Sequence, residues 1–154
     1  MAVTTKIERK SFTYRTGSEW IGRRTAGLES RGKPSLRISS PPEFRGEANV
    51  WTPEDLFVAS LETCFLMTFA GLIERRHLAV EAYYSMSEGL LEYSDDGGYR
   101  FTKVTIRPTI IVTDMTVVTP VMEALDDAKR TCLIARSVNT EIVLEPDVEV
   151  SVTE

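Results

Sequence analysis

The chain has two cysteines, Cys64 and Cys132, and these are the residues most able to do chemistry. A free cysteine commonly serves as a small buried hydrophobe, and composition alone leaves that interpretation open for both. A structural disulfide is a second option, although a reducing cytoplasm disfavours it. A redox pair is the third. In such a pair one thiolate is oxidised by a peroxide to a sulfenic acid, which the other thiol converts to a disulfide.

A metal site has little support in the sequence. There is no CxxC motif, and His77 is the only histidine. Two cysteine sulfurs supply only half of the ligands of a structural zinc site. We therefore predict no metal and no organic cofactor.

Two predicted helices carry the cysteines. Thr52 can cap the first helix, Pro53 suits its first position, and Glu54 favours the positive end of the helix dipole. Apolar residues then recur at steps of three and four, which predicts a buried helix of about twenty residues that includes Cys64. A second helix is predicted to begin at Thr119-Pro120. Its apolar face carries Val121, Leu125, Ala128, Cys132 and Ala135.

Strands are predicted before, between and after these helices. Residues 7–14 and 35–39 alternate in polarity, and residues 83–112 form a long hairpin around an Asp-Asp-Gly-Gly turn. Residues 141–152 form two short strands that are separated by Pro146. The order predicts an α+β fold with antiparallel sheets around two central helices. No linker or repeat interrupts the chain, so we predict a single domain over residues 1–154.

Bulk composition excludes several functional classes. The 154 residues are 42% hydrophobic and 27% charged, with a net charge of -5, as in ordinary globular proteins. An acidic surface repels phosphate backbones, so no nucleic-acid partner is expected. No uninterrupted apolar run of about eighteen residues occurs, so we predict no membrane span. Residues 1–15 lack the apolar segment of a signal peptide, which predicts a cytoplasmic location.

Two segments around the cysteines carry a resemblance to a known family. Residues 41–46 read PPEFRG, and residues 51–65 read WTPEDLFVASLETCF, with Cys64 ten residues after Glu54. This pattern resembles the OsmC/Ohr family (osmotically inducible protein C and organic hydroperoxide resistance proteins). The later helix with Cys132 and the Gly-rich turn over residues 22–27 are similar to two further elements of that family. The resemblance extends over nearly the whole chain.

The resemblance implies specific roles for four residues. Cys64 would be the peroxide-attacking thiolate and Cys132 the resolving thiol. Arg24 would hold the thiolate and polarise the peroxide, with Arg23 as the close alternative. Glu54 would position that arginine by a charge-assisted hydrogen bond. Each arginine could equally be a solvated surface charge.

The chain departs from the family pattern near both cysteines. The family commonly has proline directly after the second cysteine, where this chain has Leu133. Small residues near the first cysteine are replaced by Glu62 and Thr63. These departures bear on which substrate the protein uses more than on whether Cys64 and Cys132 act as a pair.

Helix geometry predicts that two chains build each site. Ten residues of straight helix separate Glu54 from Cys64 by roughly 15 Å, so the carboxylate cannot join the site around its own cysteine unless the helix is broken. A second chain could supply Glu54 across a two-fold interface. The resemblance likewise implies an intertwined homodimer.

Apolar residues near Cys64 favour an organic hydroperoxide over hydrogen peroxide as substrate. The residues expected to bind it are Trp51, Phe57, Leu61 and Phe65. The resemblance implies an external dithiol of the lipoyl type as reductant. Two alternatives from other classes stay open. One is a non-catalytic protein that binds an apolar ligand at the dimer interface, and the other is a stress-related dimer whose cysteines are only structural.

Overall fold

A computed structural model describes residues 10–151 of the chain. These residues belong to two compact units, Met1–Pro53 and Glu54–Glu154. The organisation of residues 1–154 as a single domain stays a prediction.

The N-terminal unit contains a three-stranded antiparallel sheet in the order β1-β2-β3. Its strands are β1 (Gly17–Gly22), β2 (Thr25–Glu29) and β3 (Leu36–Ser39), so the predicted strand over residues 35–39 is confirmed. The predicted strand over residues 7–14 is wrong for residues 10–14, which form no strand, and residues 7–9 lie outside the described residues. Alternating polarity specifies a strand only where a sheet edge is available for pairing.

A compact turn follows β3 in the same unit. Pro42–Phe44 form a 3-10 turn that ends at Arg45 in the left-handed region, with φ 65°. Gly46 then packs directly against the backbone of Ser40, so that a Cβ built at Gly46 would lie 1.4 Å from the Ser40 carbonyl oxygen. Only glycine fits at this position without a shift of the backbone.

The C-terminal unit contains both cysteines. Its helices are α1 (Pro53–Arg76) and α2 (Met115–Thr131), with a 3-10 turn at Ala135–Ser137. Its strands are β4 (Val80–Tyr93), β5 (Tyr99–Val112), β6 (Glu141–Leu144) and β7 (Asp147–Val150). α1 begins at Pro53 as predicted, and acidic residues in its first turn and arginines in its last turn complement the helix dipole.

The sheet of this unit is mixed rather than wholly antiparallel. β4 and β5 form the predicted antiparallel hairpin, whereas β6 and β7 both pair with β5 in parallel. The reason is that α2 carries the chain back across the sheet, which makes the next strand parallel to β5. The shared register of β6 and β7 places Pro146 across from Pro108, and neither proline has an N–H to donate.

The core of the unit lies among α1, α2 and β5. Where α1 crosses the hairpin, Gly89 on β4 permits close packing, since a Cβ there would lie 2.6 Å from Val58 Cγ2 and 2.8 Å from Phe101 Cε1. The buried core residues are Leu61, Phe65, Phe69, Leu72, Val104, Ile106, Ile110, Val112, Val121, Ala124, Leu125, Ala128 and Cys132.

The predicted start of α2 is wrong. Asp114 caps the helix by accepting a hydrogen bond from the Thr116 backbone N–H (2.8 Å), so the helix begins at Met115. Pro120 lies inside the helix, where it cannot donate a hydrogen bond to the carbonyl four residues earlier. The end also differs, because Cys132 caps the helix instead of continuing it.

α1 is long and apolar enough to cross a membrane by length and composition alone. The core helix of a water-soluble protein can have the same length and apolar composition, so these two properties do not identify a membrane-spanning helix. Four residues of α1, among them Leu61 and Phe65, pack into the core of the unit. Glu62 near its centre accepts a hydrogen bond from Ser85 of β4 (2.6 Å).

Candidate active site

Cys64 packs against the buried core that contains Cys132, and each thiol shifts the pKa of the other, Cys132 lowering that of Cys64 and Cys64 raising that of Cys132. Cys64 lies on α1 and is partly exposed, whereas Cys132 is 1% exposed at the end of α2. Cys132 leaves the helix with φ -57° and ψ 121°, while its backbone N–H still donates to the Ala128 carbonyl (2.9 Å). The fold therefore brings together two sulfurs that are 68 residues apart, the difference between positions 132 and 64.

Hydrogen-bond donors around the Cys64 sulfur favour its thiolate form. Burial acts to raise the pKa of Cys64, but nearby polar groups together hold this pKa below the usual value for a thiol. They are the backbone N–H of Ile134, the thiol of Cys132, the backbone N–H of Leu133 and, as the smallest contribution, Thr68, whose hydroxyl donates to the Cys64 carbonyl (2.8 Å). Hydrogen bonds to the charged form of a group stabilise that form.

The Cys132 thiol has the opposite tendency. Burial raises its pKa, and the contact with Cys64 adds to the increase, although backbone N–H groups of Ala135 and Ile134 oppose it. Cys132 thus stays a neutral thiol at neutral pH and can donate its proton to the Cys64 sulfur. The environment therefore favours the nucleophilic thiolate at Cys64 and the neutral thiol at Cys132.

The turn after α2 positions these donors. The Arg136 backbone N–H donates to the Cys132 carbonyl (3.1 Å), and the Ser137 backbone N–H donates to the Ile134 carbonyl (2.9 Å). The Ser137 hydroxyl also donates to the Leu133 carbonyl (2.7 Å). These bonds hold the backbone of the turn in place next to both sulfurs.

Apolar side chains surround the thiol pair within the C-terminal unit. Leu61 and Phe65 are 0% and 1% exposed and belong to the core, while Phe57 is partly buried. The Phe57 ring stacks on the Phe101 ring with 4.6 Å between centroids. A role for these residues in substrate binding stays a prediction. Leu61 and Phe65 are fully buried, so they could contact a substrate only from beneath the surface of the site.

The arginines predicted for the site lie in the N-terminal unit. Arg23 lies in the turn between β1 and β2 with φ 48°. The backbone carbonyl of Arg24 accepts hydrogen bonds from the Ser39 hydroxyl (3.1 Å) and the Ser40 backbone N–H (3.0 Å). Four arginines line one cavity of this unit: Arg23, Arg24, Arg37 and Arg45. Arg37 is already paired with Glu47 (2.7 Å).

Trp51 belongs to the N-terminal unit as well. It forms an isolated parallel bridge with Ile38 of β3, and its side chain is 52% exposed. The Trp51 carbonyl accepts a hydrogen bond from the Ser39 backbone N–H (2.9 Å). Its contribution to substrate binding stays a prediction.

Glu54 stands at the start of α1 with an unsatisfied carboxylate oxygen. The Oε2 atom is buried, and no residue of the described chain donates a hydrogen bond to it. α1 is continuous from Pro53 to Arg76, so Glu54 lies well along the helix from Cys64. A buried carboxylate oxygen without a hydrogen-bond donor is energetically unfavourable. A positively charged group that donates to Glu54 Oε2 would remove this cost.

No residue set in the described part of the chain suits a metal. Within residues 10–151, no group of three or more His, Cys, Asp or Glu side chains is placed to hold an ion. The groups that sequence reasoning missed are the backbone N–H groups of Leu133 and Ile134, which lower the pKa of Cys64. Every non-proline residue carries an N–H, so no signal in the sequence could single out the two backbone donors.

The fold agrees with comparisons to known proteins. Residues 46–147 match the family model described as OsmC-like protein, and the chain therefore belongs to the OsmC-like family. The uncharacterized protein YmaD of Bacillus subtilis is 26% identical over 138 residues, which cover 86% of this chain and 91% of YmaD.

Solved structures show the same fold. An OsmC-like protein of unknown function from Vibrio cholerae has a TM-score of 0.81 at 24% identity, covering 88% of this chain and 99% of its own. An organic hydroperoxide resistance protein OsmC from Legionella pneumophila has a TM-score of 0.73 at 20% identity, covering 92% and 100%. The organic hydroperoxide resistance protein OhrB of Bacillus subtilis has a TM-score of 0.62 at 16% identity, covering 90% and 98%. The predicted OsmC-like α+β fold is confirmed.

Proposed function

We propose that this protein is a thiol peroxidase that reduces organic hydroperoxides through Cys64 and Cys132. The observation that carries the proposal is the packing of Cys64 against the core that contains Cys132, with the pKa of Cys64 lowered and the pKa of Cys132 raised. A lowered pKa is what a nucleophilic cysteine needs. A neutral thiol in contact with it is suited to resolve the oxidised product.

The proposed reaction has two stages. The Cys64 thiolate attacks the terminal oxygen of the hydroperoxide, the O–O bond breaks, and the departing alkoxide takes up a proton and leaves as an alcohol. Cys64 is oxidised to a sulfenic acid, which condenses with the Cys132 thiol to form a disulfide and water. An external dithiol then reduces the disulfide by exchange and restores both thiols.

Arg24 and Glu54 complete the proposed site. A guanidinium beside the sulfur would stabilise the thiolate and polarise the peroxide, and a carboxylate would hold the guanidinium in a bidentate pair. The buried Glu54 Oε2 without a donor supports such a partner. Because α1 is continuous, we place Glu54 in the site of a second chain, which makes the working unit a homodimer.

The proposed substrate is a hydroperoxide with an apolar tail. Phe57, Leu61, Phe65 and Trp51 are the side chains expected to contact that tail. The names of the Legionella and Bacillus neighbours support this substrate class. We propose a cytoplasmic location, where small dithiols are available as reductants.

Hydroperoxide consumption by the reduced protein tests the function. The reduced chain should consume cumene or tert-butyl hydroperoxide faster than hydrogen peroxide in stopped-flow measurements with excess dithiol. Mass spectrometry should detect a Cys64–Cys132 disulfide after one equivalent of oxidant. Cys64→Ser should abolish consumption, whereas Cys132→Ser should allow one turnover and accumulate sulfenic acid.

The alternative functions give different results in the same experiment. A non-catalytic protein that binds an apolar ligand would retain ligand binding after Cys64→Ser and would consume no peroxide in either form. A dimer with structural cysteines would show the same free-thiol titre before and after oxidant. Either result would refute the peroxidase proposal.

A further inference from the structure

One cavity in the N-terminal unit concentrates positive charge. It has a volume of about 590 Å³, and the arginines that line it are Arg23, Arg24, Arg37 and Arg45. Glu47 is the only carboxylate among the described residues of the lining, so four arginines against one glutamate leave a net charge of +3. The whole chain has a net charge of -5, so the cavity has the opposite sign to the protein as a whole.

Most of this positive charge has no carboxylate partner. Arg37 forms an ion pair with Glu47 (2.7 Å), and the other ion pairs within residues 10–151 involve none of the three remaining arginines. The proposed pairing of Arg24 with Glu54 of a second chain would offset one more charge. Two guanidinium groups would still lack a counter-charge, and like charges in one cavity repel each other unless an anion lies between them.

Two of the four arginines occupy backbone positions that favour other residue types. Arg23 has φ 48° and Arg45 has φ 65°, both in the left-handed region, which glycine and asparagine adopt most easily. An arginine with this backbone conformation is strained. A guanidinium that is needed at that place accounts for the strain.

Hydrogen bonds fix the backbone around the cavity. The Ser39 side chain is buried; its hydroxyl donates to the Arg24 carbonyl (3.1 Å) and accepts from the Glu47 backbone N–H (2.8 Å). The Arg45 backbone N–H donates to the Pro42 carbonyl (2.9 Å). These bonds join the turn between β1 and β2 to the loop after β3, so a ligand can bind there with little reordering of the backbone.

We propose that this cavity binds a small molecule that carries at least two negative charges on phosphate or carboxylate groups. Guanidinium groups recognise the oxygens of both through paired hydrogen bonds. A volume of about 590 Å³ lies in the range of small-molecule sites. Binding there requires neither cysteine, so it is independent of the proposed peroxidase reaction.

Titration calorimetry of the full chain with pyrophosphate and with citrate tests the site. Arg45→Asn should raise the Kd for the tighter of the two about tenfold, the loss expected for one charge-assisted interaction. Asparagine tolerates the left-handed backbone, so the fold should be retained. Arg31→Asn is the matched control, because Arg31 lies in the turn between β2 and β3 and does not line the cavity. It should leave the Kd unchanged.

Glu47→Gln tests the same site in the opposite direction. It removes the carboxylate that lines the cavity and releases Arg37 from its ion pair. The Kd should therefore fall about threefold, as expected for one partly exposed charge. A substitution that merely damaged the cavity would weaken binding, so tighter binding cannot come from a loss of structure.

The two anions also distinguish the source of the ligand. Tighter binding of pyrophosphate would indicate a phosphorylated compound, and tighter binding of citrate would indicate a polycarboxylate. Absence of heat from both anions at low ionic strength would overturn the proposal. Equal losses of affinity in Arg45→Asn and Arg31→Asn would overturn it as well, because they would indicate general attraction to surface charge.

Discussion

The two sulfurs differ in their environment more than in their chemistry. Cys64 is partly exposed and surrounded by donors, whereas Cys132 is buried in the core next to Ala128. Periodicity assigned both to apolar helix faces and treated them alike. Backbone N–H groups of the turn after α2 lower the pKa of both thiols, and the two differ because Cys132 is more deeply buried and because the effect of each thiol on the other is opposite in sign.

The opposite pKa directions of the two thiols predict selective labelling. As pH falls from alkaline towards neutral, Cys132 should protonate first and Cys64 should retain its thiolate, so Cys64 should be alkylated faster at neutral pH. The measurement is the ratio of labelled Cys64 to labelled Cys132 peptides across a pH series. Equal labelling of the two cysteines at neutral pH in the native protein would contradict the prediction.

The identity of the site arginine is a second question at the residue scale. We expect Arg24→Lys to lower kcat/KM for cumene hydroperoxide about tenfold or more, because lysine cannot form the bidentate pair with a carboxylate. Arg23→Lys is the matched control, since Arg23 lines the same cavity. A larger loss for Arg23→Lys than for Arg24→Lys would reverse the assignment.

At the scale of elements, the packing of α1 on the β4–β5 hairpin depends on one glycine. Any side chain at Gly89 would overlap Val58 and the Phe101 ring, and that ring is itself stacked on Phe57. The contact therefore links the hairpin to the helix that carries Cys64. α1 is correspondingly sensitive to substitutions on β4.

Gly89→Ala should destabilise the protein by about 1–3 kcal/mol through overpacking. Gly71→Ala in α1 is the control, because a Cβ added there would meet nothing within 4 Å beyond the backbone of its own helix, and alanine favours helix. It should be neutral or stabilising by about 0.5–1 kcal/mol. Urea unfolding followed by circular dichroism measures both, and equal stability of the two variants would argue against close packing at Gly89.

The packing of α1 on β4 also includes a cluster of polar side chains, whereas such contacts usually consist of apolar side chains. The Tyr83 hydroxyl and the Ser87 hydroxyl are buried on β4 without hydrogen-bond partners in the described chain, close to the Glu62–Ser85 pair. Burial raises the pKa of Tyr83, the nearby Ser85 opposes the shift, and the negative charge of Glu62 adds to it. The departure at Glu62 is thus accommodated by serine and tyrosine on the facing strand.

At the scale of the whole molecule, the proposed dimer gives the site its remaining parts. Part of the α1 surface is apolar and uncovered, as at Met67, which is 63% exposed. Together with the unpartnered Glu54 Oε2, this supports burial of α1 against a second copy. Sedimentation of the purified chain should therefore give twice the mass of one chain.

Mixed dimers test whether Glu54 acts across the interface. Cys64→Ser and Glu54→Gln homodimers should each have low activity. A dimer with one chain of each kind should contain one intact site, because the Cys64 of the second chain meets the Glu54 of the first. Co-expression with two affinity tags should therefore recover about half of the wild-type activity in purified hybrids, as two-fold symmetry requires. Hybrids with no recovery would place Glu54 within its own chain or outside the site.

Much of this protein could be predicted from its sequence because the signals are local. The start of α1 at Pro53, the turn at residues 95–98 and the division of the last strands at Pro146 all follow from backbone restrictions of single residues. Family membership likewise followed from a short helix motif with Cys64 at a fixed distance from Glu54.

Tertiary structure decided the features that depend on partners distant in sequence. Asp114, rather than Thr119, caps α2 because the chain leaves β5 at that point. β6 and β7 are parallel to β5 because α2 returns the chain across the sheet. The environment of Cys64 depends on amides nearly seventy positions away, and an N–H acquires a function only when folding brings an acceptor to it.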